Sequence, residues 1–92
     1  MANILTDADK VTSGARREHY GKPEDNHDCT AQMMIAYLER AYGVTVPLTA
    51  VDVCYFNILQ KISRLANTYH RDGLVDIAGY ARNVEMIVSK PS

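Results

Sequence analysis

A chain of 92 residues, 47% hydrophobic and with a formal net charge of -1, has room for one domain and a thin core. The near-neutral balance leaves out the basic stripe that general nucleic-acid binding uses, and no apolar run approaches the roughly eighteen residues of a membrane span. A thin core leaves apolar surface that self-association would cover, so a homo-oligomer is expected.

The leading segment MANILTDADK lacks the charged and apolar regions of a signal peptide, which reads as a soluble, cytoplasmic protein. Thr6 and Asp9 fit a capping box and predict a short helix from Thr6, with Leu5, Ala8 and Val11 turned inward. Gly14 weakens or ends it. Residues 14–26, GARREHYGKPEDN, read as a polar loop, with helix allowed to continue through Tyr20 and Gly21 just past its end. Arg16, Arg17, His19, Tyr20 and Lys22 make this the basic cluster of the chain.

Asn26 as N-cap predicts a second helix over residues 27–43, with Asp28 in its first turn. Ala31, Met34, Ile35, Leu38, Ala41 and Tyr42 follow helical spacing, and Gly43 is the stop. VTVPL, residues 44–48, reads as an extended connector, because Pro47 biases Val46 away from helix. Thr49 and Asp52 form a second capping-box pattern and open a third helix over residues 50–67. Its expected inward stripe is Val51, Tyr55, Ile58, Ile62 and Leu65, flanked by Cys54, Leu59 and Ala66. Asn57, Lys61 and Arg64 share a different face.

Residues 67–71 make a turn. Asp72 as cap predicts a fourth helix over residues 73–89, with Leu74, Ile77, Ala78, Ala81, Val84 and Val88 inward. Asp76, Tyr80 and Asn83 share a neighbouring face, and Gly79 in mid-helix predicts close approach of another backbone. Lys90 to Ser92 form a tail. The fold expected is an all-α, up-and-down bundle of three long helices and one short N-terminal helix.

Opposite charges face each other across the last turn: Lys61 and Arg64 end one helix, and Asp72 and Asp76 open the next. They are either surface salt bridges or half of a polar pocket in which lysine and arginine hold phosphate or carboxylate oxygens. Asp76 would then orient Arg64 or bind a sugar hydroxyl. Arg17 and Tyr20, with Gly21 and Asn26, form a second group able to bind an anion and stack on a base. The bland alternative is a solvated loop. Cys29 and Cys54 have neither disulfide-framework nor zinc spacing and read as reduced, partly buried thiols. His27, Asp28, Cys29, His70 and Asp72 hold ligand atoms without a ligand spacing, so no metal site is expected. Ser13, Ser63 and Ser89 sit in no nucleophile motif, so no catalytic residue is assigned.

Over residues 10–88 the sequence resembles a family of small helical proteins of unknown function from bacteriophage and prophage genomes. The resemblance rests on Arg17, Tyr20, Gly21 and Asn26, then Lys61, Arg64 and Leu65, then Asp76, Gly79 and Tyr80. It implies a viral origin, with the host cytoplasm as location. More loosely, the chain is similar to the all-α MazG-like NTP pyrophosphohydrolases. Those carry ExxE and ExxD motifs for magnesium, where this chain has Lys61 and Arg64, then Asp72 and Asp76. The first expectation is therefore a phage accessory protein that binds a nucleotide-like or phosphate-bearing ligand without a cofactor and could act by sequestering a host signal. Arg17, Lys61 and Arg64 would meet phosphate, Tyr20 or Tyr80 would stack, and Asn26 and Asp76 would orient. The alternatives are a protein-binding inhibitor of a host factor and a divergent, magnesium-dependent pyrophosphohydrolase.

Overall fold

The computed structural model describes residues 3–12 and 22–89. Within them run α1 (Ile4–Thr12), α2 (Pro23–Tyr42), α3 (Ala50–Asn67) and α4 (Arg71–Val88). The described residues contain no strand, and the all-α bundle is what forms. Arg17, Tyr20, Gly21 and the tail from Lys90 lie outside the described residues, as does any continuation of helix towards Tyr20.

Local signals set the boundaries, and three differ from expectation. α1 begins at Ile4, because the Asn3 side-chain oxygen accepts from the Thr6 backbone N–H at 2.9 Å; Asn3, not Thr6, is the cap. α2 begins at Pro23, a residue preset for the first helical position with no N–H to satisfy. Asn26 is therefore not an N-cap. It is an exposed residue of the first turns, and its N–H donates to the Lys22 carbonyl at 3.0 Å. α4 is capped by His70, whose Nδ1 accepts from the Gly73 N–H at 3.1 Å, and Asp72 is simply an acidic residue of the first turn.

The other boundaries follow the sequence. Thr49 and Asp52 complete a reciprocal capping box at the start of α3. Gly43 ends α2 in the left-handed region, φ 68°, and its N–H donates to the Glu39 carbonyl at 3.0 Å.

α4 is the hub of the bundle. α1, α2 and α3 each pack on it, and α2 packs on α3 as well. The link of Thr68 to His70 folds α4 back antiparallel to α3, so late α3 lies beside early α4. α1 runs in the same direction as α4: Asp7 sits at Arg71, 2.6 Å away, and Val11 and Thr12 sit over Gly79. The close backbone approach expected at Gly79 is not found: a Cβ there would meet side chains of α1, at 3.5 and 3.7 Å. Thr12 is buried there without penalty, because its hydroxyl donates to the Ala8 carbonyl at 2.8 Å.

The core is small. Ala8, Ala31, Val53, Cys54 and Val75 are its buried apolar residues. On α3 the inward face is turned relative to the expected stripe. Val53 and Cys54 are buried, while Tyr55 and Ile62 are each 50% exposed and Val51, Ile58 and Leu65 are half-buried. Leu5, Ala41, Tyr42, Ala81 and Val88, also expected inside, are exposed. The inward face of α3 is the one that carries Lys61, because α4 presents Asp76 to it.

The two buried glycines of α4 respond oppositely to a methyl group. A Cβ on Gly73 would lie 2.6 Å from Cε1 of His70, so Gly73→Ala is expected to expel the capping ring and cost about 1 kcal/mol. A Cβ on Gly79 would meet Thr12 and Val11 at 3.5 and 3.7 Å, ordinary contact. Gly79→Ala is therefore expected to hold or raise stability, by up to about 1 kcal/mol through helix propensity. Thermal or urea melts of the two variants check both signs.

Candidate functional site: a polar seam between three helices

Asp76, Tyr80 and Asn83 stand four and three residues apart, which puts them on one face of α4. That face meets α3 and α2. Lys61 of α3 pairs with Asp76, Nζ to Oδ2 at 3.2 Å. The lysine side chain is 17% exposed and the aspartate 36%, so this pair is drier than an ordinary surface bridge. Such pairs contribute on the order of 1 kcal/mol or less when solvent still reaches them.

His27 enters from the first turns of α2 and is buried. Its ring stands edge-on to Tyr80, with centroids 6.1 Å apart. The Asn83 side-chain amide lies 3.3 Å from His27 Nε2. With the amide N–H donating, Nε2 is the acceptor and the imidazole proton resides on Nδ1. The other amide atom, Asn83 Oδ1, is buried without a hydrogen-bond partner among the described residues. A buried acceptor left in that state costs about 1–3 kcal/mol of desolvation.

Burial pulls the His27 pKa below its ordinary value of 6.5. Burial also pushes the Cys54 thiol up to about 11, which makes it inert beside the exposed Cys29.

Of the residues singled out from the sequence, Lys61, Asp76 and Tyr80 come together. Arg64 follows Lys61 by three residues, is exposed, and forms no ion pair with a described residue. Asn26 is exposed beside His27 in the chain. Arg17 and Tyr20 lie outside the described residues, in the segment that leads into α2.

His27 and Asn83 were not among the candidates. For Asn83 the signal was present, since it shares the face of Asp76 and Tyr80. For His27 the signal was its place four residues before Ala31, on the inward stripe of α2. Among the described residues no three His, Cys, Asp or Glu side chains gather in a way that could hold a metal ion. Asp76 is engaged by Lys61, and His70 by Gly73. These residues do not fit an acidic magnesium centre, and no chemistry is routed through one. No helix of the described residues is long and apolar enough to cross a membrane.

Comparison with known proteins adds the relationship. The sequence profile described as "Domain of unknown function (DUF6378)" matches residues 3–87. The Gene 55 protein of Mycobacterium phage D29 is 38% identical over 90 residues, covering 97% of this chain and 56% of its own length. The Gene 55 protein of Mycobacterium phage L5 is 43% identical over 84 residues, covering 90% of this chain and 51% of its own length. The chain thus spans about half the length of these relatives. No solved structure matches. The resemblance to a phage family of unknown function, read from Arg17, Tyr20, Gly21 and Asn26 and from the Lys61–Leu65 and Asp76–Tyr80 motifs, is borne out.

Two measurements probe the seam. A histidine whose folded pKa is depressed contributes its full stability above 6.5 and loses it as pH falls through the lower folded value. The melting temperature is expected to drop over that acidic window, and the drop to be smaller in His27→Gln. Alkylation of the native protein at mildly basic pH is expected to modify Cys29 alone, with Cys54 reacting only after unfolding, as read by mass spectrometry.

Proposed function

The chain belongs to the DUF6378 family of phage proteins of unknown function, and on that footing we propose that it binds a nucleotide-like, phosphate-bearing ligand along the seam between α2, α3 and α4. The observation that carries this reading is the convergence of His27, Lys61, Asp76, Tyr80 and Asn83 from three helices, with the Asn83 oxygen unmet. Bundles build small-molecule sites from side chains on facing helices, and such sites combine a few polar groups with apolar walls.

Each residue has a role that its chemistry supports. The Lys61 ammonium has three N–H donors, and Asp76 engages it from one side, which leaves donors for a phosphate oxygen. Arg64, one turn further and exposed, offers a planar fork to the same phosphate. Tyr80 supplies a ring for a base to stack on. Asn83 Oδ1 would accept from a base amino group or a ribose hydroxyl, which would remove its desolvation cost on binding. Asp76 keeps Lys61 in place and would take a sugar hydroxyl. Asn26, exposed in the first turns of α2, would orient the ligand, and of the residues outside the described ones Arg17 would meet phosphate and Tyr20 would stack. No residue is assigned a catalytic role. A phage protein of this kind would act by sequestering a host signal.

A thermal-shift screen against nucleotides and cyclic dinucleotides, with and without magnesium, tests the reading. A true ligand at a hundredfold excess over its dissociation constant stabilises the fold by about 2.7 kcal/mol. That shift is expected to disappear in Arg64→Ala and to shrink in Asn83→Ala. No shift across the panel would overturn the proposal. A shift untouched by Arg64→Ala and Asn83→Ala would move the ligand away from this seam. Pyrophosphate release that requires magnesium would replace binding with hydrolysis.

A further inference from the structure

The side chain of Asn83 ends in two groups of nearly equal size, and the bundle treats them differently. The amide nitrogen lies 3.3 Å from His27 Nε2. The amide oxygen is buried without a hydrogen-bond partner among the described residues. His27 is buried as well. Once protonated, its ring donates from both nitrogens and accepts from neither. Nε2–H would then meet the Asn83 amino group, donor against donor. Half a turn of the amide about its last bond, a torsion with roughly two-fold preference, brings Oδ1 to that place instead. The exchange needs no repacking, because the two ends fill the same space.

We infer that His27 and Asn83 form a proton-operated switch: neutral His27 holds the amino end of Asn83, and protonated His27 turns the amide and takes its oxygen. In the neutral state the ring proton is on Nδ1, Nε2 accepts, and Oδ1 is the unmet group. The added proton goes onto Nε2, which then donates to Oδ1, while Nδ1 keeps its own. A hydrogen bond from a charged donor is stronger than the neutral one it replaces. The buried place that held an acceptor now holds an amino group, so the seam changes there from accepting to donating.

The switch lies in acid, because burial disfavours the cation. α2 packs on both α3 and α4. From α4, Tyr80 meets the ring edge-on, and Asp76 is tied to Lys61 of α3. Cys54 of α3 stays uncharged, its thiol pushed up to about 11. On α2 itself Glu24 stands three residues before His27, and the exposed Asp28 one residue after. These groups act alike on the wild type and on an Asn83 variant, so the part played by Asn83 is read by difference. The switch does not rest on the ligand-binding proposal, but its use does: above the midpoint the seam favours a ligand that donates at this place, and below it one that accepts.

An NMR titration of the full chain without ligand, from about pH 8 to about pH 4, is the test, following the His27 ring nitrogens and the Asn83 side-chain amide. At the basic end the ring is expected as the Nδ1–H tautomer. The amide signals are expected to move with the same midpoint as the ring, below 6.5. Asn83→Leu, similar in shape and without polar atoms, supplies the sign. If the amide turns, the variant loses the bond that stabilises the cation, and the His27 midpoint falls by about one pH unit. If the amide stays in place, the variant loses only a donor that opposes protonation, and the midpoint rises. A rise or no change overturns the inference. So does an Nε2–H tautomer at the basic end, an amide indifferent to the titration, or unfolding before His27 titrates. Should Asn83→Leu fail to fold, the tautomer and the amide signals of the unaltered chain decide. A chain that binds no nucleotide leaves the switch standing, and a fixed amide leaves the thermal-shift reading standing.

Discussion

Everything in this bundle depends on how closely other elements can approach α4. Three helices share it as a packing partner, and the surface of one helix is limited. The chain meets that constraint by leaving side chains out. Gly79 puts bare backbone under Val11 and Thr12 of α1, where a methyl group would still fit, and Gly73 makes room for the His70 ring that caps the same helix. α1 and the α3–α4 turn thus occupy ground that ordinary side chains of α4 would have filled. Towards α2 and α3 this helix presents Asp76, Tyr80 and Asn83, which bring polar groups into the packing.

A polar face at the meeting of three helices is an expensive way to hold a small protein together. Apolar residues of the same shape at Lys61 and Asp76 would be as stabilising or more so, since a partly buried ion pair gives back much of its Coulomb energy in desolvation. The His27–Asn83 contact leaves one buried oxygen unmet, which is a further cost. A chain whose core is built around Val53 and Cys54 has little stability to spare for such groups. Buried polar groups of this kind are characteristic of surfaces shaped for a ligand, and the seam is where the proposed function is placed for that reason.

The fold class was legible because helical periodicity and caps act over a few residues. The Thr49–Asp52 box and the Gly43 stop are local chemistry, and both appear where the sequence puts them. The start of α4 was not legible, because a histidine cap needs the glycine at position 73 and is read only when the ring is seen over it. The inward face of α3 was misread for a different reason. Both of its sides satisfy the helical repeat, and nothing local distinguishes the side that meets α4 from the side left outside. That basic and acidic residues face each other across the turn was legible from charge, but which of them meet was not: Asp76 takes Lys61 and not Arg64, because the choice depends on how α3 and α4 are rotated against each other. His27 was not legible, because a lone histidine on an apolar stripe shows its partners only when α2 and α4 are laid together.

The link between α3 and α4 has a kinetic consequence. Thr68 to His70 close a hairpin whose contacts, such as Leu65 with Gly73, are near in sequence. The contact of Arg71 with Asp7 joins residues 64 positions apart. Closing the short loop costs far less chain entropy than closing the long one, and the long-range contact gains little until α4 exists to receive it. The α3–α4 hairpin is therefore the early-forming unit and α1 the late one.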